Sequence, residues 1–316
     1  MSLMESLRQR RSGLRFYGLT PPKRDQDPAK FRGIAERQME RIKALAPDGL
    51  ILYDLQDEAG RTTSPRPFPF LPTLEPSRYA REQLAELNIP RILYQCAGNH
   101  SRTDFLAWAD RLDPERDACV LVGAPAALSS KATEAADRDS PLSLSAATAL
   151  LRERQPKTCL GGVAIAERHV RKQDEGARLL AKYSQGARFF ISQTIYDSGA
   201  SKALLADYAL RFQSAGVAPV PFILSFSPCG SLKTMEFMKW LGIAFPEGLE
   251  RDLQESRDIL AASMDAAVQA FAEIRSFAAE KSIPIGINVE SVAVRKEEIE
   301  ASCVLFRRLS LALVKK

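Results

Sequence analysis

The amino-acid sequence predicts an α/β fold, namely a single-domain (β/α)8 TIM barrel. Short apolar segments alternate with longer amphipathic ones through the 316 residues, and this alternation is typical of parallel strands joined by crossover helices. Eight such units are the number that closes a barrel. The rival architecture, a doubly wound open sheet, usually carries G-x-G-x-x-G after its first strand. Here Thr20-Pro21-Pro22-Lys23 follows that strand instead.

Strands are predicted where apolar runs, often rich in β-branched or aromatic residues, are bounded by turn residues. In chain order these are Leu14–Leu19, Gly49–Leu55, Arg91–Gln95, Cys119–Val122, Leu160–Ala164, Phe189–Gln193, Val220–Phe226 and Ile285–Val289. Helices are predicted where apolar residues recur at helical spacing. These are Pro28–Leu45, Ser77–Leu87, Arg102–Leu112, Ser143–Arg154, Glu175–Gln185, Ala200–Ala215, Lys233–Gly242, Leu249–Ala279 and Lys296–Leu313.

Residues 1–13 are expected to form an amino-terminal lead-in to one barrel domain that comprises residues 14–316. Met1–Leu3 precede a second methionine and are interpreted as a leader, and the basic run Arg8–Arg11 is expected to be solvated. Residues 61–72, RTTSPRPFPFLP, form the most irregular stretch. Prolines interleaved with apolar side chains indicate a packed active-site loop or a subunit contact, so a homo-oligomer stays open.

Composition narrows the classes of partner. The formal net charge is +5, which suits an anionic small molecule but lacks the clustered charge of a nucleic-acid-binding protein. No run is long and apolar enough to predict a membrane span. The five cysteines show no C-x-x-C spacing, so neither a disulfide framework nor a zinc site is expected, and a reducing, cytoplasmic location is favoured.

Polar residues collect where the predicted strands end, and active sites of such barrels lie at that carboxyl-terminal face. Phe189-Phe190-Ile191 is apolar and runs directly into Ser192, Gln193 and Thr194. We expect Ser192 and Gln193 to face the barrel mouth, where a ligand supplies hydrogen-bond partners. Further polar or aromatic residues at strand ends are Tyr53, Asp54, Gln95, His100, His169, Phe226, Asn288 and Glu290.

Each of these residues has a structural alternative. Asp54 could cap the next segment, and Asn288 and Glu290, two apart on one strand face, could cap the following turn instead of forming a site. Gln193 could bond a neighbouring loop. The two histidines of the chain both fall at the predicted mouth, although a loop histidine is often only solvated. No pair of carboxylates has a spacing that fixes a reaction, and no metal motif is present.

Four segments resemble methylenetetrahydrofolate reductases. GARFFISQTIYD is similar to the family's strand-six pattern, in which the glutamine, here Gln193, holds the folate pterin. GVAIAERH, LVGAPA and FYGLTPPKRD are similar to its segments at strands five, four and one. The likeness is strongest to a divergent, flavin-independent branch, where segments like FILSFSPCGSLKTMEFMKWL and INVES form strands seven and eight. The resemblance implies a folate ligand, one-carbon metabolism and methionine biosynthesis.

The resemblance implies cofactor contacts from Gly123, His169 and Lys182. The residues that hold FAD in the flavin branch are nevertheless replaced, since Val122 and Ala124 stand at the positions of the flavin-loop arginine and aspartate. Ile165 stands where a tyrosine packs on the flavin. FAD is therefore doubtful, and NAD(P)H would serve as the direct hydride donor.

The family's acidic glutamate in strand one aligns with Gly18, which cannot transfer a proton. Glu290 is the first substitute for this acid and Asp54 the second, while Gln193, Asn288, Phe226 and Gln95 are the expected substrate-binding residues. Two functions follow from the resemblance: reduction of 5,10-methylenetetrahydrofolate with NAD(P)H, or folate binding without reductase activity. An unrelated ligand in the same barrel is the third hypothesis.

Overall fold

Eight parallel strands close into a barrel in this computed structural model, each strand pairing with its neighbours in chain order. The structure describes residues 1–58, 63–123 and 141–314. The strands are β1 (Arg15–Leu19), β2 (Gly49–Leu52), β3 (Arg91–Cys96), β4 (Asp117–Val122), β5 (Leu160–Ala164), β6 (Ala187–Thr194), β7 (Phe222–Phe226) and β8 (Ile285–Val289). Each overlaps one predicted strand, so the predicted (β/α)8 barrel is confirmed.

Helices surround the barrel and connect its strands. Those within the described residues are α1 (Leu3–Arg8), α2 (Pro28–Leu45), α3 (Pro76–Glu82), α4 (Arg102–Ala109), α5 (Leu144–Arg154), α6 (Ala166–Lys172), α7 (Glu175–Ser184), α8 (Ser198–Ser214), α9 (Leu232–Trp240), α10 (Glu247–Glu255), α11 (Ile259–Glu280) and α12 (Lys296–Val314). None of these is long and apolar enough to cross a membrane.

Side chains alternate between the barrel interior, here called the lumen, and the helix layer, because successive strand residues point to opposite faces. Phe16, Ile51, Ile92 and Ile223 belong to the apolar cluster that fills the lumen. The residues between them, such as Leu50, pack outward in a second cluster with the helices. All five cysteines are free and buried, in agreement with their use as small apolar side chains.

The amino-terminal end of the lumen is closed by α1, which the sequence does not predict. Leu3, Met4 and Leu7 of this helix are buried and join the lumen cluster. Ser2 caps the helix by accepting a hydrogen bond from the backbone N–H of Glu5 at 3.1 Å. The lead-in predicted from the sequence therefore supplies core side chains, and Leu3 of the interpreted leader is one of them, while the basic run begins exposed at Arg8.

Several element boundaries differ from the sequence prediction, and two of these differences have a clear local cause. The predicted helix Leu249–Ala279 is two helices, α10 and α11, because Ser256 is extended and Asp258 caps α11 by accepting from the N–H of Ala261 at 3.0 Å. The seventh strand begins at Phe222 and not at Val220. Pro221 lies between them and lacks the N–H that a ladder needs.

Strand β6 contains an irregularity at its carboxyl end. Ile191 pairs with Ile223 of β7, but the next pair joins Thr194 to Ser225, so three residues of β6 oppose two of β7. This is the count of a β-bulge, which re-aims side chains. Thr194 consequently faces the lumen together with Ser225, whereas strict alternation would place it among the helices.

Candidate functional site

A polar cluster occupies the carboxyl end of the lumen, directly above its apolar filling. Asn288 of β8 is fully buried and donates from Nδ2 to the Tyr53 hydroxyl at 2.9 Å and to the Ser225 hydroxyl at 3.2 Å. Thr194 donates from Oγ1 to Oε1 of Glu290 at 3.1 Å. Residues at the carboxyl ends of β2, β6, β7 and β8 thus converge on one point, as sequence reasoning expects for Asn288 and Glu290.

Glycine at position 18 makes room for the Glu290 carboxylate. A Cβ added to Gly18 would lie 2.9 Å from Cβ and 3.0 Å from Oε2 of Glu290, and 3.0 Å from Cε2 of Tyr53. Such distances are shorter than real Cβ contacts, so any larger residue would displace the carboxylate or the ring. The Glu290 side chain, directly after β8, therefore occupies the space that a β1 side chain would otherwise take.

The surroundings of Glu290 favour its neutral form. Desolvation raises the pKa of its carboxyl, against the lowering effect of hydrogen bonds from Tyr53, Thr194 and Asn288. Desolvation and the nearby Glu290 charge likewise raise the pKa of the Tyr53 hydroxyl, which stays protonated. The Tyr53 and Tyr94 rings lie 4.8 Å apart between centroids. The chemical property of this cluster is therefore a desolvated carboxyl group with a raised pKa, surrounded by hydroxyl and amide groups.

Gln193 lies in the β6 bulge at the rim of the cluster. Its Nε2 donates to the Leu241 carbonyl, just after α9, at 2.8 Å, while its Oε1 is buried without a hydrogen-bond partner. The Oδ1 atom of Asn288 is also buried and unpartnered. Ser192 instead accepts from the backbone N–H of Ser225 at 2.8 Å, so the bulge uses it to hold β7. Two amide oxygens at the mouth are left as free acceptors.

Asp54 lies beyond the end of β2, beside β3. Its Oδ2 accepts a hydrogen bond from the backbone N–H of Cys96 at 2.8 Å. Desolvation raises the pKa of Asp54 to about 6, although the bond from Cys96 opposes the shift. The residue joins two strand ends, and no contact connects it with Glu290.

Gln95 and Phe226 lie outside the lumen. Gln95 is buried next to the lumen residue Tyr94 and contacts Nε2 of His100 through its own Nε2. Phe226 is buried in the helix layer, where its ring meets Phe271 of α11 edge-on with centroids 6.0 Å apart. Both side chains therefore point away from the polar cluster that the sequence assigns them to.

The residues implied as cofactor contacts do not form a flavin site. His169 lies inside α6, 4% exposed, with Nδ1 4.0 Å from Oδ2 of Asp207. Lys182 is half-buried and donates to the Val163 carbonyl at 2.5 Å, and desolvation lowers its pKa to about 8. Neither offers charge to a phosphate at the mouth. Gly123 lies at the open end of β4, and Ala124 falls outside the described residues.

A segment after β2, residues 63–74, contacts both the β1–α2 loop and α9 and is called the strap. The described part of the predicted irregular loop lies within it, while residues 61 and 62 lie outside the described residues. At one end its Ser64 carbonyl accepts from Nε1 of Trp240 in α9 at 3.1 Å. At the other end the Leu74 N–H donates to the Pro22 carbonyl at 2.9 Å. The strap therefore joins the β1–α2 loop to α9.

Arg66 fastens the strap to α9. Its guanidinium carbon lies 5.2 Å from the ring centroid of Phe70, 5.5 Å from that of Phe237 and 5.0 Å from that of Trp240. Phe68 meets Phe237 edge-on at 5.4 Å. The aromatic residues that suggest a packed loop in the sequence do pack, against a helix of the same chain.

Thr194, Tyr53 and Ser225 complete the cluster, and the sequence analysis assigns a catalytic or ligand-binding role to none of the three, although it notes Tyr53 at a strand end. Strict alternation along β6 hides Thr194, because the bulge that turns it inward has no signal in one sequence. Tyr53 and Ser225 could have been selected, since each shares a strand face with an inward apolar residue two positions earlier. Within the described ranges, no group of three His, Cys, Asp or Glu side chains could hold a metal ion.

No protein-family model and no curated protein sequence matches the chain. Among solved structures, an uncharacterized protein of Clostridium thermocellum is 38% identical, with a TM-score of 0.84, over 98% of this chain and 99% of that one. That protein binds two copies of 5-methyl-5,6,7,8-tetrahydrofolic acid. Identity and coverage at this level show a shared family.

Two glycoside hydrolases share only the fold. A psychrophilic family 10 endo-β-1,4-xylanase is 10% identical, with a TM-score of 0.52, over 97% of this chain and 99% of that chain. A family 113 β-1,4-mannanase is 11% identical, with a TM-score of 0.52, over 94% of this chain and 98% of that chain. At such identities the likeness carries no information about activity.

Proposed function

The chain belongs to the same family as the folate-binding protein of Clostridium thermocellum, and we propose that it binds a reduced folate at the carboxyl end of its lumen. The observation that carries the proposal is the polar cluster around Asn288 and Glu290, which lies at the strand ends where barrels of this type bind ligands. The sequence resemblance to methylenetetrahydrofolate reductases supports the same class of ligand.

The chemistry of a reduced pterin matches what the cluster lacks. The pterin ring offers N–H donors at its amino group and ring nitrogens, and the free acceptors here are Oε1 of Gln193 and Oδ1 of Asn288. A buried amide oxygen without a partner costs about 1–3 kcal/mol, which a ligand donor recovers. Tyr53 and Tyr94 add aromatic surface beside these acceptors.

Calorimetric titration with 5-methyltetrahydrofolate tests the binding proposal. We expect Gln193→Ala to weaken binding by about 1–3 kcal/mol, since the pterin would lose its partner. Gln213→Ala, which removes an exposed glutamine at the end of α8, is the matched control and should bind as the wild type does. Equal affinity of Gln193→Ala and wild type would remove Gln193 from the site.

A second candidate function is reduction of 5,10-methylenetetrahydrofolate, and the exchange of space between Gly18 and Glu290 favours it. Opening the imidazolidine ring to an iminium needs a general acid at the leaving nitrogen, and such a group contributes about 10²–10⁴-fold. Desolvation raises the pKa of Glu290, which is the direction that favours a general acid. A nicotinamide nucleotide would supply the hydride, and correct positioning of the two rings suffices for the transfer.

In this candidate function the residues of the cluster have distinct roles. Glu290 holds the proton, and Thr194, hydrogen-bonded to its Oε1, fixes the carboxyl orientation. Asn288 fixes the Tyr53 hydroxyl and Ser225 beneath the ligand. Asp54, the other acid candidate, has a pKa of about 6 but lies at the β2–β3 rim, so Glu290 is the better-placed proton donor.

The decisive assay follows NADH or NADPH oxidation after addition of 5,10-methylenetetrahydrofolate. We expect Glu290→Gln to lower the rate by about 10²-fold or more while calorimetric affinity for 5-methyltetrahydrofolate changes little. Asp54→Asn serves as the comparison and should retain most activity. If wild type binds folate but turns over neither nucleotide, the protein is a folate-binding member without reductase activity. An equally active Glu290→Gln variant would place the acid elsewhere.

A further inference from the structure

We propose that Glu167 is a positioning residue for the folate site: it holds the loop after α9 and thereby fixes which end of the Gln193 amide faces the ligand. This loop comprises residues 241–246, between α9 and α10. The inference rests on the proposed folate site and names a residue that acts on it through Gln193, without touching the ligand.

Glu167 and Gln193 bond to the same short loop. Gln193 donates from Nε2 to the Leu241 carbonyl at 2.8 Å, and Glu167 accepts at Oε1 from the backbone N–H of Ala244 at 3.3 Å. Ala244 lies three residues after Leu241. The acceptor that orients Gln193 and the donor that Glu167 holds are therefore parts of one segment of backbone.

The loop is packed along its length. Ile243 and Phe245 are buried in one apolar cluster, and the Phe245 ring stacks on Tyr196 with centroids 4.3 Å apart. The N–H of Ile243 also donates to the Met238 carbonyl of α9 at 3.0 Å. Because a packed segment transmits a displacement to its neighbours, releasing Ala244 should also shift the Leu241 carbonyl.

A small cavity brings the two side chains close together. It lies between the end of β6, α6 and the start of α8, and its volume is about 10 Å³, which is about the space that one water molecule needs. Glu167, Ser192, Gln193 and Asp197 are among the residues that line it. The two side chains that bond to the loop are therefore neighbours.

The orientation of the Gln193 amide decides what a ligand meets. An amide has acceptor capacity at its oxygen and two donors at its nitrogen. While Leu241 holds Nε2, the unpartnered atom is Oε1, which suits the N–H groups of a pterin. If the Leu241 carbonyl moved away, the amide could rotate and present its own N–H groups to those of the ligand, which would weaken binding.

The charge of Glu167 controls its hold on the loop, because a carboxylate accepts an N–H bond more strongly than a neutral carboxyl group does. Desolvation raises the pKa of Glu167, against the lowering effect of its own backbone N–H and that of Ala244. Asp197 at the start of α8 adds to the rise, and Arg171 of α6 opposes it. The loop and the end of β6 carry no charged side chain. Acidification should therefore release the loop at a higher pH than for an ordinary glutamate.

A double-mutant cycle tests the link, with calorimetric affinity for 5-methyltetrahydrofolate as the measurement. Gln193→Ala alone should weaken binding by about 5- to 150-fold. We expect Glu167→Ala to weaken binding by about tenfold in the wild-type background, but by less than about twofold in the Gln193→Ala background, because it acts through Gln193. An equal loss in both backgrounds, or no loss in either, would overturn the proposal.

Asp48→Ala is the matched control for this cycle. Asp48 also accepts a backbone N–H, that of Arg15 at 2.8 Å, but it directly precedes β2, at the opposite end of the barrel. Its effect on folate affinity should be below about twofold and the same in both backgrounds. Thermal unfolding of each variant confirms that the titrated protein is folded.

Glu167→Gln separates the charge from the hydrogen bond and carries the test where Glu167→Ala does not fold. Its side-chain oxygen still accepts from Ala244 but does not titrate. At about pH 8 we expect affinity within about twofold of wild type. Between about pH 8 and about pH 5.5 the wild type should lose more affinity than Glu167→Gln, because only the wild type gains a proton at this position. Parallel pH profiles of the two proteins would contradict the proposal.

A measurement without ligand distinguishes this inference from the proposed function. The side-chain NH₂ signals of Gln193, identified in ¹⁵N–¹H spectra by their loss in Gln193→Ala, should shift further on acidification in wild type than in Glu167→Gln. If the signals respond to Glu167 but wild type binds no folate, the link between the two residues stands and the folate proposal falls. If wild type binds folate and the signals ignore Glu167, the positioning role falls and the folate site stands.

Discussion

The two ends of the barrel lumen each contain a glycine that makes room for a neighbour, and the neighbours are opposite in character. At the base, a Cβ on Gly49 would lie 2.7 Å from Cδ2 of Leu3, so this glycine admits an apolar side chain of α1. At the mouth, Gly18 admits the carboxylate of Glu290. A glycine in a strand therefore leaves room for an apolar side chain at one end of the lumen and for a carboxyl group at the other.

The difference shows that one end of the barrel contributes mainly to stability and the other carries the polar groups that can take part in chemistry. The base buries the apolar side chains of Leu3, Met4 and Leu7 in one cluster with apolar residues of the strands. The mouth keeps Oδ1 of Asn288 and Oε1 of Gln193 without partners and raises the pKa of Glu290. Buried polar groups without hydrogen-bond partners lower stability, and such groups are found where a ligand can supply the missing hydrogen bonds.

The largest effect is expected at the base. Leu7→Ala should lower the free energy of unfolding by about 2–5 kcal/mol, because it opens a cavity under the lumen. Urea unfolding measures this loss. Leu210→Ala on α8, where the leucine is 61% exposed, is the matched control and should change stability by less than about 0.5 kcal/mol. Folate affinity of the folded Leu7→Ala protein should match wild type, and a large loss of affinity would contradict the division between the ends.

The next effect concerns Asp54 at the mouth. Its pKa is raised from 3.8 to about 6 in the folded chain, so the native state binds more protons than the unfolded state between these values. Stability should fall as pH rises through this window, by at most about 3 kcal/mol. Asp54→Asn should remove this part of the pH dependence, as measured by urea unfolding at pH 4.5 and pH 7. Parallel pH profiles for variant and wild type would show that Asp54 is solvated.

The two glycines provide the sharpest comparison. Gly49→Ala and Gly18→Ala should each lower stability by about 1–3 kcal/mol, because each added Cβ meets a packed side chain. Only Gly18→Ala should also weaken folate binding, since it displaces Glu290 or Tyr53. Gly248→Ala in α10, where an added Cβ meets nothing within 4 Å, is the control and should be neutral or stabilising. Equal folate affinity in Gly18→Ala and Gly49→Ala would show that Glu290 does not belong to the folate site.

The smallest effect is expected in the strap. Arg66→Met keeps an apolar stem against the aromatic rings but removes the cation, so it should cost about 1 kcal/mol. Limited proteolysis should then cut the strap faster than in wild type. Arg154→Met, which removes a surface pair with Asp110, is the control and should leave cleavage of the strap unchanged. Unaltered cleavage in both variants would mean that the Arg66 cation does not hold the strap.

The strand ends show which side-chain directions can be predicted from a single sequence. Asn288 and Glu290 are predicted as a pair on one face and do lie in the same cluster, because a regular strand keeps its period of two. The same rule misplaces Thr194, since the β6 bulge shifts the register after Ile191. Gln95 and Phe226 do lie near the carboxyl ends of their strands, but their side chains point outward to the helices. A choice of residues based only on their position at a strand end does not show which way a side chain points.

The sequence prediction differs from the structure in the helical segments for other reasons. The six residues of α1 are too few to show a helical periodicity in the sequence. A helix this short is stable only because its apolar side chains pack against the lumen. His169 belongs to the seven-residue helix α6, so it is buried against α8 and is not in an open loop. The break between α10 and α11 was readable in principle, because Asp258 is a typical helix-capping residue.

The sequence by itself determined the barrel, the order of its strands and the level at which polar side chains end each strand, because these depend on local periodicity that every segment carries alone. Only the tertiary structure decided which of those side chains share a lumen. It brought Glu290 into the space above Gly18, turned Thr194 inward and tied the strap to α9. Contacts between residues far apart in the chain depend on register and closure, which no single segment encodes.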